Sequence, residues 1–170
     1  MTFVFVFNCL FLSLFCESLF AAKMYYLPIS FMACFYFSIY FTWQRSLTIC
    51  LICATAQAEL FHISALIPHL IIFSIAKTWK NQGDCSRAYV QWTAFSIAYL
   101  LAASSQVILT RNSIHLRAEL LHFFLELICS LLILSIAFPF FITLMDFFAN
   151  KFEIHTYTKT QREELLNARP

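Results

Sequence analysis

Five long apolar runs, separated by short polar links, make up most of this chain. They cover residues 2–22, 24–43, 46–76, 88–109 and 118–148. A helix of about 20 predominantly apolar residues is long enough to cross the hydrocarbon core of a bilayer, which is about 30 Å thick. The pattern therefore predicts an all-α integral membrane helical bundle.

The third run, 46–76, differs from the others because it carries Glu59 and two histidines, and it is too long for one ordinary crossing. An ionised carboxylate at the centre of a membrane helix costs about 2.5–3.5 kcal/mol on insertion scales. A reversal at Glu59 removes most of that cost, because it brings the carboxylate to the membrane surface. We therefore predict two short arms, residues 47–58 and 60–76.

This reversal gives six transmembrane segments, in which the third and fourth form a short helical hairpin. Glu59, Leu60 and His62 would lie at the hairpin tip and contact a partner. The alternative is a single crossing by 46–76. It gives five segments and moves the N-terminus to the other side of the membrane.

The last run, 118–148, is unusually long. Its 31 residues would measure about 46 Å as a helix, which exceeds the thickness of the hydrocarbon core. Pro139 lies inside this run, and a proline in a helix interior removes a hydrogen bond and clashes with the preceding turn. We therefore expect a kink or a break at this position.

Composition supports the membrane interpretation. Hydrophobic residues make up 61% of the chain and charged residues 12%, with a mean hydropathy of +0.76, whereas soluble domains are nearer half apolar and a quarter charged. We expect one transmembrane domain over 1–150 and a cytoplasmic polar tail over 151–170. The net charge of +2 is too small to indicate nucleic-acid binding. With Gly83 as the only glycine, close helix contacts must rely on Ala, Ser, Thr and Cys.

Basic residues predict the orientation of the second half. Arg45, the 77–87 loop and the tail together carry eight Lys and Arg residues, and three lie on the opposite side. Since cytoplasmic loops carry the excess of basic residues, the C-terminus is predicted to be cytoplasmic. The basic residues of the loop, which would face the cytoplasm and anionic lipid, are Lys77, Lys80 and Arg87.

Two Glu-x-x-His pairs, which begin at Glu59 and Glu119, raise the question of a metal site. Carboxylate-bridged di-iron proteins combine two such pairs with two further carboxylates, and Glu17 and Glu126 would complete that set. However, each pair also has an interfacial role available, and a helix N-terminus favours an acidic residue. We therefore predict no catalytic, metal or cofactor site, and keep a di-iron membrane oxidase as an alternative.

Further polar residues lie inside the apolar runs, where they are expected to form hydrogen bonds between helices. These intramembrane residues are Gln57, His69, Gln106 and Glu126. The stretch "CLIC" at 50–53 has the spacing of a redox or metal motif, but buried cysteines commonly act as small apolar residues. We predict the packing role.

The stretch "ICLICATAQAELFHISALIPHLIIFSIAKTW", residues 49–79, resembles the MreD family of bacterial rod shape-determining membrane proteins. In that family an apolar run, an acidic residue followed by an apolar one, a short turn and a second apolar run lead into a basic loop. Glu59–Leu60 stands where the family usually has Asp–Leu. The order of runs along the whole chain is also similar to that family.

The resemblance implies a non-enzymatic scaffold of the cell-elongation and peptidoglycan-synthesis machinery in the bacterial inner membrane. Its implied partners are MreC-like and other elongation proteins, together with membrane lipids. The implied fold is similar to the six-helix substrate-binding subunits of certain vitamin transporters. An accessory structural subunit of a large membrane complex, for example a respiratory one, and a substrate-binding membrane subunit are the alternatives. The sequence leaves a homo-oligomer open.

Overall fold

The computed structural model describes residues 2–21, 29–61, 65–82, 88–110 and 116–151. These residues form six α-helices and no strand. The helices are α1 (Thr2–Ala21), α2 (Ile29–Tyr40), α3 (Trp43–Phe61), α4 (Leu66–Gln82), α5 (Ala88–Thr110) and α6 (Leu116–Lys151). The predicted all-α class is therefore confirmed for the described part of the chain.

The third apolar run forms two helices, α3 and α4, as the burial cost of Glu59 predicts. The reversal lies later than expected, because α3 continues through Phe61 and α4 begins at Leu66. Glu59 occupies the last turn of α3 and is exposed. With 19 and 17 residues, the two arms are not short. The short helix is instead α2, which has 12 residues.

The last helix, α6, continues through Pro139 without a break. Of the expected kink or break, the break is therefore excluded, and the hydroxyl of Thr143 donates to the carbonyl of Pro139 at 2.8 Å. Among the described residues, one segment is long and apolar enough to cross a membrane, Leu127–Lys151. The apolar parts of α1 and α2, Val4–Phe20 and Ile29–Tyr40, are shorter.

Helix α2 is the centre of the bundle. Every residue from Ser30 to Ile39 is buried, and α2 contacts each of the other five helices. A helix that is apolar on all sides must be surrounded by other elements or by lipid. The absence of any charge from α2 is consistent with this central position.

One face of α2 carries small residues and packs against α3. Ser30, Cys34 and Ser38 recur at four-residue intervals on α2, and all three are fully or almost fully buried. The Ser46 hydroxyl of α3 donates to the carbonyl oxygen of Phe37 at 3.2 Å, and Gln57 donates to Ser30 at the other end of this interface. Because the two helices run in opposite directions, small side chains meet along their length and let the backbones approach closely.

Another face of α2 carries large aromatic rings. Phe35 makes edge contacts with Phe95 of α5, at a ring-centroid distance of 5.5 Å, and with Phe138 of α6, at 5.7 Å. Phe95 and Phe138 are themselves stacked at 4.3 Å. Phe31 meets the His69 ring of α4 edge-on at 4.7 Å. These contacts use the edge-to-face and stacked geometries that aromatic rings prefer, and they fix α4, α5 and α6 around α2.

Successive helices pack against each other along the chain, and the links between them are short, so neighbouring helices are antiparallel. The bundle therefore has two distinct ends. We call the end at which α1, α3 and α5 finish the Glu17 end, and the opposite end the Lys77 end. Both Thr2 and Lys151, the outermost described residues, lie at the Lys77 end.

Candidate functional site

The Glu17 carboxylate lies at the beginning of the central helix. Glu17 is fully buried near the end of α1, and its Oε2 accepts a hydrogen bond from the backbone N–H of Ser30 at 3.1 Å. Ser30 is in the first turn of α2, where backbone N–H groups have no acceptor within their own helix. Glu17 thus supplies, from another helix, the oxygen that a capping side chain normally provides.

Gln57 of α3 completes this site. Its side-chain amide Nε2 donates to Oε1 of Glu17 and to Oγ of Ser30 at 2.6 Å. Glu17, Ser30 and Gln57 are each at most 1% exposed, so water does not compete for these hydrogen bonds. The three side chains, which we call the Glu17 cluster, connect α1, α2 and α3 at one level of the bundle.

The Glu17 carboxyl group lies beside the N-terminal end of the α2 helix dipole. The N-terminus of a helix carries a partial positive charge, which stabilises a nearby carboxylate, and hydrogen bonds to a charged acceptor are stronger than neutral ones. Both carboxylate oxygens of Glu17 accept from N–H donors. Glu17 is therefore a structural anchor, because the lone pairs of its carboxylate point at hydrogen-bond donors of the protein itself.

At the C-terminal end of α2, the Lys77 ammonium group has the role that the Glu17 carboxylate has at the N-terminal end. The ammonium group of Lys77 on α4 donates to the carbonyl oxygen of Phe41 at 2.7 Å, immediately after the last residue of α2. The same ammonium lies 5.9 Å from the centroid of the Phe73 ring. A helix C-terminus carries a partial negative charge and unsatisfied carbonyls, so Lys77 matches it as Glu17 matches the N-terminus.

The structure corrects the prediction that Lys77 belongs to a solvated basic loop. Lys77 is helical and only 7% exposed, because α4 extends to Gln82 instead of ending at the last apolar residue. Lys80 is also on α4 and is half-buried. Arg87 lies outside the described residues.

A second polar contact stabilises the Lys77 end. The hydroxyl of Tyr36 on α2 donates to Oδ1 of Asp146 on α6 at 2.7 Å. The Tyr36 and Tyr40 rings are 4.3 Å apart, and Gln91 of α5 donates through Nε2 to the Tyr40 hydroxyl at 3.3 Å. These contacts connect α2 to α5 and α6, so that each neighbour of α2 has a polar or aromatic attachment.

His69 is buried against a different face of α2. Its Nδ1 is 2.8 Å from the carbonyl oxygen of Ala65. Because a carbonyl only accepts, Nδ1 carries the proton and Nε2 is an acceptor. Nε2 is buried and has no hydrogen-bond partner among the described residues. The predicted inter-helix hydrogen bond of His69 is therefore wrong for the described residues, and the ring contacts Phe31 instead.

The other predicted residues are placed as follows. Glu59 and Leu60 are exposed in the last turn of α3, and Leu60 keeps 53% of its surface accessible. His62 lies outside the described residues. Gln106 is on α5 and Glu126 on α6, but their side chains lie outside the described part. Gln57 forms hydrogen bonds to residues of two other helices, Glu17 of α1 and Ser30 of α2.

Of the ligands of the di-iron alternative, Glu17 and Glu59 are among the described side chains, and no three His, Cys, Asp or Glu residues of that part of the chain are grouped to hold a metal. Glu17, one of its required ligands, lies in the Glu17 cluster. Sequence reasoning did not predict the pairing of Glu17 with Ser30 or of Tyr36 with Asp146. The sequence feature that could have indicated the first pairing is Glu17 itself, a single acidic residue within an otherwise uncharged run.

Comparison of the chain with protein-family models, with curated proteins and with solved structures finds no match. The functional interpretation therefore depends on the geometry described above.

The Glu17 cluster predicts a large stability difference between two glutamate substitutions. Glu17→Ala removes the acceptor of the Ser30 N–H and of the Gln57 amide, and each buried donor left without a partner costs about 1–3 kcal/mol. Glu59→Ala, the matched control at an exposed position, should change the free energy of unfolding by less than about 0.5 kcal/mol. Unfolding of the purified protein by titration with a denaturing detergent measures both. Equal stabilities of the two variants would contradict the anchoring role.

The Lys77 contact predicts a comparable loss at the other end of α2. Lys77→Met keeps the apolar stem but removes the donor to the Phe41 carbonyl, so the free energy of unfolding should fall by about 1–3 kcal/mol. Lys151→Met, at an exposed position of α6, is the control and should be nearly neutral. The same unfolding titration measures both variants. If Lys77→Met leaves the free energy of unfolding unchanged, α2 does not need this cation.

Proposed function

We propose that the chain is a multi-pass protein of the bacterial inner membrane, with all six helices embedded and the Lys77 end facing the cytoplasm. In a bilayer core no water is available, so every backbone polar group must find a partner within the protein. At about 18 Å, α2 is shorter than the hydrocarbon core, so both of its ends lie at membrane depth. The capping of those ends by Glu17 and Lys77 is the observation that supports this proposal most.

The outer surface of the bundle also supports a membrane setting. Phe7, Phe11 and Phe15 form a stacked row on α1, with ring centroids 6.5 and 6.3 Å apart, and each is more than half exposed. On α6, Ile136 and Phe140 are 80% and 72% exposed. Contiguous apolar surface of this kind is unfavourable in water and favourable in contact with acyl chains.

Within the membrane, we propose a non-enzymatic scaffold of the cell-elongation machinery, in agreement with the resemblance to MreD. The buried ionisable residues Glu17 and Lys77 cap helix ends, and these contacts support a structural role for them. Glu59 and Leu60, in contrast, are exposed at the Glu17 end. This end would face away from the cytoplasm, where the tip of the α3–α4 hairpin is accessible to an MreC-like partner.

An accessory subunit of a large membrane complex is the second candidate. The Phe7–Phe11–Phe15 row favours it, because aromatic rings that project from one helix can pack against the helices of a larger assembly. The two candidates differ in the surface they use. The scaffold uses the hairpin tip at Glu59, and the accessory subunit uses the side of α1.

Topology can be tested by labelling an introduced cysteine. A Leu60→Cys variant, in a background with the native cysteines replaced by alanine or serine, should react with a membrane-impermeant maleimide in intact spheroplasts. Lys151→Cys in the same background should react only after the membrane is made permeable, because it lies at the opposite end of the bundle. Reaction of both cysteines from the same side would contradict the six-segment arrangement.

Partner binding can be tested with variants at the hairpin tip. Glu59→Lys combined with Leu60→Ala should reduce co-purification of MreC-like elongation proteins about tenfold, the effect of losing 1.4 kcal/mol of binding energy. Phe11→Ala is the control on the side of α1 and should leave co-purification unchanged. Co-purification with a respiratory complex that depends on Phe11 and not on Glu59 would favour the accessory-subunit candidate and overturn the scaffold.

A further inference from the structure

The helices around α2 form an incomplete ring. Going around it, α1 contacts α3, α3 contacts α4, α4 contacts α5 and α5 contacts α6. The described residues of α6 and α1 make no comparable contact that would close the ring. We call this opening between the first and last helices the α1–α6 seam.

A groove of about 230 Å³ occupies the α1–α6 seam. Its wall on α1 includes Val4, Asn8 and Leu12, and its wall on α6 consists of Leu144, Met145 and Phe148. Asn8 is the polar residue among these, so the groove is almost entirely apolar. It lies at the Lys77 end, since α1 begins there and α6 ends there.

The size of the groove selects among apolar occupants. A helix with side chains is about 10–12 Å wide and rises about 5.4 Å per turn, whereas the wall of the groove on α6 extends over about one turn, from Leu144 to Phe148. A single acyl chain is much narrower and can follow the groove along the two helices. The dimensions therefore favour a lipid chain over the helix of a partner protein.

A positive charge, Lys151, lies about one turn beyond the groove on α6. Leu144, Phe148 and Lys151 are spaced by four and three residues, so they share one face of α6. Lys151 is exposed and follows the lining residue Phe148 by one turn. A lysine at this position can form a charge-assisted hydrogen bond with a lipid phosphate, while the chain of the same lipid lies between α1 and α6.

We propose that the α1–α6 seam is a binding site for an anionic phospholipid, with one acyl chain in the groove and the phosphate on Lys151. The inference rests on the membrane part of the proposed function, and it adds a ligand of defined chemistry at a site that the scaffold role does not require. Basic residues on the cytoplasmic side of membrane proteins attract anionic headgroups, which agrees with the proposed orientation of the Lys77 end.

The test uses the full-length protein, delipidated in a non-ionic detergent and given phosphatidylglycerol or phosphatidylcholine with identical chains. Native mass spectrometry then measures how much of each lipid is retained. Phosphatidylglycerol should be retained about fivefold better, and Lys151→Gln should remove that preference. Arg45→Gln, an exposed cation at the same end of the bundle, is the matched control and should keep it.

The groove itself is tested by filling it. Leu144→Trp should lower the retention of phosphatidylglycerol about tenfold, whereas Leu132→Trp, at an exposed position of α6 away from the groove, should not. If Leu144→Trp does not fold, the Lys151 comparison decides alone. Equal retention of the two lipids by the unsubstituted protein, or equal loss in both Trp variants, would overturn the site. If one of these results is obtained while Leu60→Cys is labelled as expected, the lipid site is wrong but the proposed membrane topology still holds.

Discussion

The two ends of the central helix impose the constraint on which this fold depends. A buried helix needs acceptors for its first N–H groups and donors for its last carbonyls, and the Glu17 and Lys77 side chains that supply them to α2 are themselves buried. Glu17 of α1 meets the Ser30 N–H, and Lys77 of α4 meets the Phe41 carbonyl. The charges match the helix dipole at both ends, so the same contacts that satisfy the backbone also fix the positions of the helices that supply them.

Packing around α2 follows from a division of its surface into a face of small side chains and a face of large aromatic ones. Small side chains face α3, where Ser30, Cys34 and Ser38 permit close approach, and the Phe31 and Phe35 rings fill the wider spaces toward α4, α5 and α6. This division explains how a chain with one glycine forms close helix contacts. Serine and cysteine take the role that glycine has in many membrane bundles, and α5 presents buried alanines in the same way.

Functionally, the described polar residues separate into an internal and an external group. The internal group, Glu17, Gln57, Lys77 and the Tyr36–Asp146 pair, stabilises contacts between helices. Glu59 and Leu60 belong to the external group, at the Glu17 end, and Lys151 lies in that group at the other end. Because the first group is committed to structural hydrogen bonds, interactions with partners and lipids are expected from the second. A scaffold whose core is inert and whose ends are chemically distinct is consistent with this separation.

The sequence by itself determined the helical class and favoured the division of 46–76 into two helices over a single crossing, because apolar run lengths and the cost of a buried carboxylate are local properties. It did not determine that Glu17, an acid as isolated in its apolar run as Glu59, would be buried. Tertiary structure decided this, since only the assembled bundle brings the first turn of α2 to Glu17. The burial of Lys77 was decided in the same way, because its acceptor, the Phe41 carbonyl, is 36 residues away in the chain.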